Sequence, residues 1–184
     1  SSRPTILKVI IDCLLIIVSI YAFRSELKSG LKSIFNKKTL LSIFVGFIVI
    51  LIIQAVSSAI LSNLLSVQSP VAILQSLMLK KYPIYMIFLM LIFSPIVEEI
   101  TFRSCFRSII SNKFVFVGLS SVIYAVLSMM SALEMSSSLL YLIPSILNAV
   151  IYSVLYLKRD NIVEPIILHF LVNLWALIAY FSLI

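Results

Sequence analysis

Glu98-Glu99-Ile100-Thr101-Phe102-Arg103 sets two adjacent carboxylates and a guanidinium at the end of an apolar run, Ile84–Val97, broken only by Ser94 and Pro95. A carboxylate in hydrocarbon is costly, so it normally faces a bundle interior or a watery cavity and acts there. Glu99 and Arg103 stand at i and i+4 on one helix face, as do Glu98 and Phe102. The expected result is one arginine-paired glutamate, Glu99, and a second, Glu98, poised to exchange a proton. That suits a general base activating water. A second polar pair, His169 and Asn173, lies in another apolar stretch, again at i and i+4. Both can donate to the oxyanion that forms when water attacks a carbonyl. Carbonyl hydrolysis within the membrane is the reaction class these residues suit.

The elements that carry them are membrane-spanning. The chain has 184 residues, 62% of them hydrophobic and 11% charged, and its mean hydropathy is +1.19. An ordinary soluble globule is excluded. Apolar stretches long enough to span a bilayer occur at Ile6–Phe23, Leu40–Leu65, Ile84–Arg107, Phe114–Met130, Leu139–Leu157 and Val163–Ile184. The expected fold is an all-α, polytopic bundle of about six transmembrane helices forming a single domain over 1–184. The segment Pro70–Lys81 is shorter and suits the interface. If the third and fourth stretches form a hairpin turning at Ser111-Asn112-Lys113, Glu98 is fourteen residues before Asn112 and Ser128 sixteen after it. At the helical rise both sit roughly 20–25 Å from the turn. The last span starts near Asn161–Glu164, which places His169 and Asn173 about 12–18 Å along it. All of these groups would then occupy one buried layer. Pro95 removes an N–H, frees backbone carbonyls near Leu91, and can kink the helix to open a cavity.

The net charge of +7 belongs to a membrane protein's loops, not to nucleic-acid binding. Arg24, Lys28, Lys32, Lys37, Lys38, Arg103, Arg107, Lys113, Lys158 and Arg159 fall at one set of helix ends. Arg3, Lys8, Lys80 and Lys81 fall at the other. Cytoplasmic loops carry the excess of Lys and Arg and meet anionic headgroups. Loops one, three and five are therefore expected inside, with both termini outside. Cys13 and Cys105 lie in or beside apolar spans and form neither a disulfide framework nor a zinc-type cluster. They read as small packing residues. The first stretch contains Asp12 and lacks a signal-peptide cleavage pattern.

Each group has a plainer reading. Arg103 with Glu99 can be a buried ion pair that orients helices, and His169 with Asn173 can be interhelical hydrogen-bond glue. Asp12 can reach the cavity, but is expected to pack against Ser or Tyr hydroxyls or to mark a later start of the first span. Gln54, Ser57 and Ser58 read as helix-packing residues, and Asn148 as an interhelical hydrogen-bonding residue, with lining of the site as its alternative. Glu164 suits the N-terminal turn of the last helix, where acid favours the macrodipole. Ser136-Ser137-Ser138 reads as a connecting loop. Without H-E-x-x-H, no metal and no cofactor is assigned. Ser128 has no evident base to make it a nucleophile.

The chain resembles the CPBP family, also called the Abi or CAAX-protease and bacteriocin-processing family, whose members include the Rce1 prenyl-protein proteases. The family's E-E-x-x-x-R motif matches Glu98 to Arg103, with Phe102 before the arginine. Its H-x-x-x-N motif matches His169-Phe170-Leu171-Val172-Asn173, preceded by Pro165. The second motif, F-x-x-x-H after paired serines, corresponds to Ser120-Ser121-Val122-Ile123-Tyr124-Ala125-Val126-Leu127-Ser128. Tyr124 there replaces the phenylalanine, and Ser128 the histidine. The match covers about 84–175. The resemblance implies an intramembrane glutamate-dependent endopeptidase needing no metal, with Glu98 as water-activating base. It implies supporting roles for Glu99 and Arg103, and oxyanion stabilisation by His169 and Asn173; Phe102, Tyr124 and Ser128 would line the pocket. Its substrate would be a membrane-associated peptide or protein, and its place a multi-pass one in a cell membrane; the few glycines and many isoleucines, lysines and serines suit an AT-rich bacterial genome, hence a bacterial plasma membrane. Losing an acid–base partner commonly costs about 10²–10⁴-fold in rate. Ser128 therefore leaves two readings, a slow protease or a pseudoprotease serving as an interaction, regulatory or bacteriocin self-immunity protein.

Overall fold

A computed structural model describes residues 6–66, 69–130 and 138–182. Among these the chain is helical, with no strand. Ser1-Ser2, Arg3 and the expected loop residues Ser136 and Ser137 lie outside the described residues; Ser138 already belongs to a helix.

Eight helices follow in order among the described residues: α1 (Ile6–Ala22), α2 (Arg24–Ser33), α3 (Lys37–Ser58, extended by a wider turn, Ala59–Leu64), α4 (Pro70–Lys81), α5 (Pro83–Ile109), α6 (Lys113–Met129), α7 (Ser138–Arg159) and α8 (Val163–Ser182). Polar caps and prolines start them where the sequence changes character. The Asn36 side chain accepts from Lys38 N at 3.0 Å to open α3, and Ser69 accepts from Ala72 N at 3.2 Å to open α4, with Pro70 beside it. Asn112 accepts from Phe114 N at 2.9 Å and Val115 N at 3.1 Å, so the α5–α6 hairpin turns where expected. Asn161 accepts from Val163 N at 2.9 Å to begin α8, after Asp160 turns the chain at φ 47°.

All six expected spans fall on helices. Four of them (Lys37–Ser62, Pro83–Ile109, Leu139–Arg159 and Val163–Ser182) are long and apolar enough to cross a membrane unaided. α1 reaches that length only with α2, from which it bends by 74°, and α6 stops at 17 residues. The bend separates apolar α1 from the polar, basic α2. Outward-facing Ile52, Ile143 and Ile178 leave a lipid-compatible surface.

The spans run in opposite directions, α3 against α7 and α5 against α6, so their ends collect on two faces. On the basic face Arg159 donates to Ser42 Oγ at 3.0 Å and the Lys38 carbonyl at 2.9 Å, and pairs with buried Glu164 at 2.9 Å. Arg159 is thus a tie between helices, not a headgroup contact, and it is the partner that Glu164 has beyond the helix dipole. Asn161 donates to Ser33 Oγ at 2.9 Å and clamps α2 against the α7–α8 turn. The larger apolar cluster, with Ile34, Ile43, Phe116, Leu155 and Ile162, closes this half. At the opposite face Leu79, Met90 and Leu177 form a small cluster, and Ser62 meets Tyr141.

Candidate active site

α5 is the unusual element. Proline inside a helix removes one backbone donor and crowds the preceding turn. Around Pro95 the helix widens to i→i+5 pairing over Leu89–Glu98 and again over Ile100–Cys105. In that register the carbonyl left without a donor by Pro95 is that of Met90, one residue earlier than the α-helical Leu91. Asn173 Nδ2 donates to Met90 O at 2.7 Å and fills the gap. Asn173 therefore ties α8 to the widened turn, and one of its two donors is committed there.

Glu98 and Glu99 meet different surroundings, as neighbouring residues point to different sides of a helix. Glu99 is wholly buried and lies 3.1 Å by Oε2 from Arg103 Nε, itself wholly buried. Its other oxygen is 2.8 Å from His169 Nδ1. Arg103 donates from Nη2 to the Ala149 carbonyl at 3.1 Å, and its guanidinium carbon sits 5.1 Å from the Tyr124 ring and 5.6 Å from the Tyr152 ring. Aromatic faces favour a cation in this position. His169 stacks on Tyr152 with centroids 5.2 Å apart and planes 15° apart. Phe102 packs edge-on to Tyr124 at 5.2 Å. Glu99, Arg103 and His169 form one buried cluster, in which Glu99 Oε2 and Arg103 Nε are an ion pair without hydrogen-bond geometry and Arg103 Nη1 has no hydrogen-bond partner among the described residues.

Glu98 stands outside it. One carboxylate oxygen accepts from Ser94 Oγ at 2.7 Å, four residues earlier, and the residue is only half-buried. It lines a cavity of about 1070 Å³ shared with Tyr124, Ser128, His169 and Asn173. The expected groups line one cavity, but they do not form one buried layer: Ser128 is exposed, Glu98 and Asn173 are half-buried, and only His169 is buried, because the wide space between the helices leaves the first three open. Ser128 donates its hydroxyl proton to Ala125 O at 3.0 Å and can offer only lone pairs to the cavity. Nδ1 of His169 faces Glu99, so Nε2 is the ring nitrogen left for the cavity.

Several plainer expectations change. Gln54, Ser57 and Ser58 line the cavity instead of only packing between helices. Asn148 also lines it, and its buried Oδ1 has no hydrogen-bond partner among the described residues. Asp12 accepts from Tyr85 OH at 2.7 Å, as expected of it, and reaches the same cavity. Three groups were not foreseen: Ser94, Tyr152 and the Met90 carbonyl. Ser94 carried a legible signal, as the polar residue one turn before Glu98. Tyr152 carried none, because its contacts with Arg103 and His169 cross three helices. Among the described residues no three His, Cys, Asp or Glu side chains converge as a metal site.

A family model described as Type II CAAX prenyl endopeptidase Rce1-like matches residues 80–175, just over half of the chain. The protein belongs to the Rce1-like family. No curated protein and no solved structure matches it. Membership makes it one of a family of membrane endopeptidases, and the matched Rce1-like segment holds α5, α6, α7 and the part of α8 that carries His169 and Asn173.

Proposed function

We propose that this Rce1-like protein is an intramembrane endopeptidase in which Glu98 activates water against a peptide bond of a membrane-associated peptide or protein. The observation that carries this reading is the division between the two glutamates. Glu99 has both oxygens engaged by Arg103 and His169, whereas Glu98 faces the cavity with one oxygen held by Ser94. Glu98 takes a proton from water as the water oxygen bonds to the carbonyl carbon. The C–N bond then breaks, and the proton passes from Glu98 to the departing amine. Glu99 and Arg103 hold His169 in place. His169 donates to the oxyanion through Nε2 when its ring is protonated, and Asn173 through its second amide N–H.

A second reading rests on Ser128, whose hydroxyl proton is already committed to Ala125 O. It supplies no proton acceptor of useful basicity, and a pseudoprotease that binds without cutting would need none. Mass spectrometry of membrane-peptide N-termini separates the two readings in cells expressing the unaltered chain, Glu98→Gln or Ser128→His. Termini made by the unaltered chain and lost in Glu98→Gln identify a protease. New termini only with Ser128→His identify a pocket that has lost its catalytic partner, and equal termini in all three retire the Glu98 assignment.

A further inference from the structure

A second concavity lies on the outside of the bundle, between α3 and α7 near the basic face. It is a groove of about 360 Å³ that shares no residue with the cavity lined by Glu98. Val45 and Val49 on α3 and Val154 on α7 form its sides, and buried Gly46 and Leu155 its floor. Valine and glycine are too short to fill the gap between the two helices, so a channel stays open on the surface that meets lipid. Val45 and Val154 are each 50% exposed there. The lining runs from Leu41 to Val49 on α3 and from Val150 to Lys158 on α7, about 12 Å along each helix axis. That length and that apolar lining suit one acyl chain.

The chemistry changes at the basic end, which Ser42 and Lys158 close. Ser42 donates its hydroxyl proton to Lys38 O at 2.9 Å and accepts from Arg159 at 3.0 Å, so it has no proton to offer a ligand. Arg159 is paired with Glu164. Lys158 is exposed, and its ammonium is the donor left at this end of the groove. Lys37 and Lys38 are exposed at the start of α3, where the Lys38 carbonyl meets Arg159. The neighbouring carboxylates are directed elsewhere. Glu164, which also feels Lys158, is wholly buried and held by Arg159, and Asp160 acts on Glu26 at the α2 junction. A hydrocarbon tail is as well placed in the bilayer as in an apolar groove, so the channel by itself selects no lipid. Selection falls to the headgroup, and three lysines around one end favour a negative one.

We infer that this groove holds one anionic phospholipid, with its phosphate on Lys158 and one acyl chain along the valine-sided channel. Bound there, the lipid bridges α3 and α7, the helix whose Ala149 carbonyl and Tyr152 ring hold Arg103 in the candidate site. The inference does not rest on the endopeptidase reading, and its test needs no cleavage. The full chain purified in detergent is titrated with phosphatidylglycerol or with phosphatidylcholine of the same acyl chains, and the fraction carrying one lipid is read by native mass spectrometry. Phosphatidylglycerol should bind the more tightly, and Lys158→Gln should weaken it about fivefold, the effect of one lysine at a headgroup. Lys80→Gln, at the opposite face, should leave the binding unchanged. Val154→Trp and Val45→Trp, on the two half-exposed walls, should each block the channel and abolish binding, with the melting temperature in lipid-free detergent unchanged. Equal binding of the two lipids by the unaltered chain, equal effects of Lys158→Gln and Lys80→Gln, or lipid retained by both tryptophan variants would overturn the inference. A dimer of the unaltered chain that is lost in Val154→Trp would assign the groove to a second copy and overturn it as well.

Discussion

Asn173 is assigned to the oxyanion by resemblance, yet its amide is seen holding the carbonyl that Pro95 orphans, and the two roles make different predictions. Met90 is 5% exposed, so its carbonyl has no ready access to water once the 2.7 Å bond from Asn173 is removed. Leaving a buried acceptor unpaired costs about 1–3 kcal/mol. Asn173→Ala should therefore destabilise the protein by that amount, seen as a fall in the detergent melting temperature of several degrees, at about 2–4 °C per kcal/mol for a chain of this size. Pro95→Ala restores an N–H able to pair with Met90 O. In that background Asn173→Ala should cost less, with a coupling of about 1 kcal/mol in a double-mutant cycle. The cycle is read by thermal unfolding of all four proteins, with peptide-terminus analysis on the same set. Additive losses would refute the account of Met90. Stability rescued by Pro95→Ala with cleavage still absent would show that the second amide donor acts on substrate as well.

Other consequences follow from the same contacts. Arg103→Met leaves the Glu99 carboxylate buried beside His169 alone and should cost about 3–5 kcal/mol, much of it recovered when Glu99→Gln is added; a double variant no more stable than Arg103→Met would contradict the ion-pair assignment. Gly30 is where α2 meets the α7–α8 turn, and an added Cβ would lie 2.1 Å from Asn161 Oδ1 and 2.7 Å from Val163 Cγ2. Gly30→Ala should destabilise by about 1–3 kcal/mol, measured by thermal unfolding, and should free α2 to proteolysis. Burial raises the Glu26 carboxyl above the ordinary glutamate range, and the charge of Asp160 adds to this, against hydrogen bonds from Ser104 and Tyr156. Its protonated form stabilises the fold below the unfolded-state pKa, and that contribution is lost as pH rises through the higher folded-state value. Glu26→Gln should thus raise the melting temperature near neutral pH and give no gain in acid; a constant shift across pH would refute it.

The bundle and its motifs were legible because their signals are local. Apolar length marked the spans, Asn112 and Pro70 marked helix starts, and i,i+4 spacing paired Glu99 with Arg103. The rise along α5, α6 and α8 was enough to anticipate that Glu98, Ser128, His169 and Asn173 line one cavity. What the sequence could not decide was which donor meets which acceptor. Pro95 announced an orphaned carbonyl, but only the widened register made it Met90's and aimed Asn173 at it. Likewise the residue types of Gln54, Ser58 and Asn148 suit either packing or a wall, and the choice fell to whether a neighbouring helix fills the space beside them. Hydropathy and short-range spacing are properties of one segment, so the sequence by itself determined the helices, their polar faces and the chemistry on offer. Register shifts, cavity walls and the burial that separates Glu98 from Glu99 depend on side chains from other helices, so only the tertiary structure could settle them.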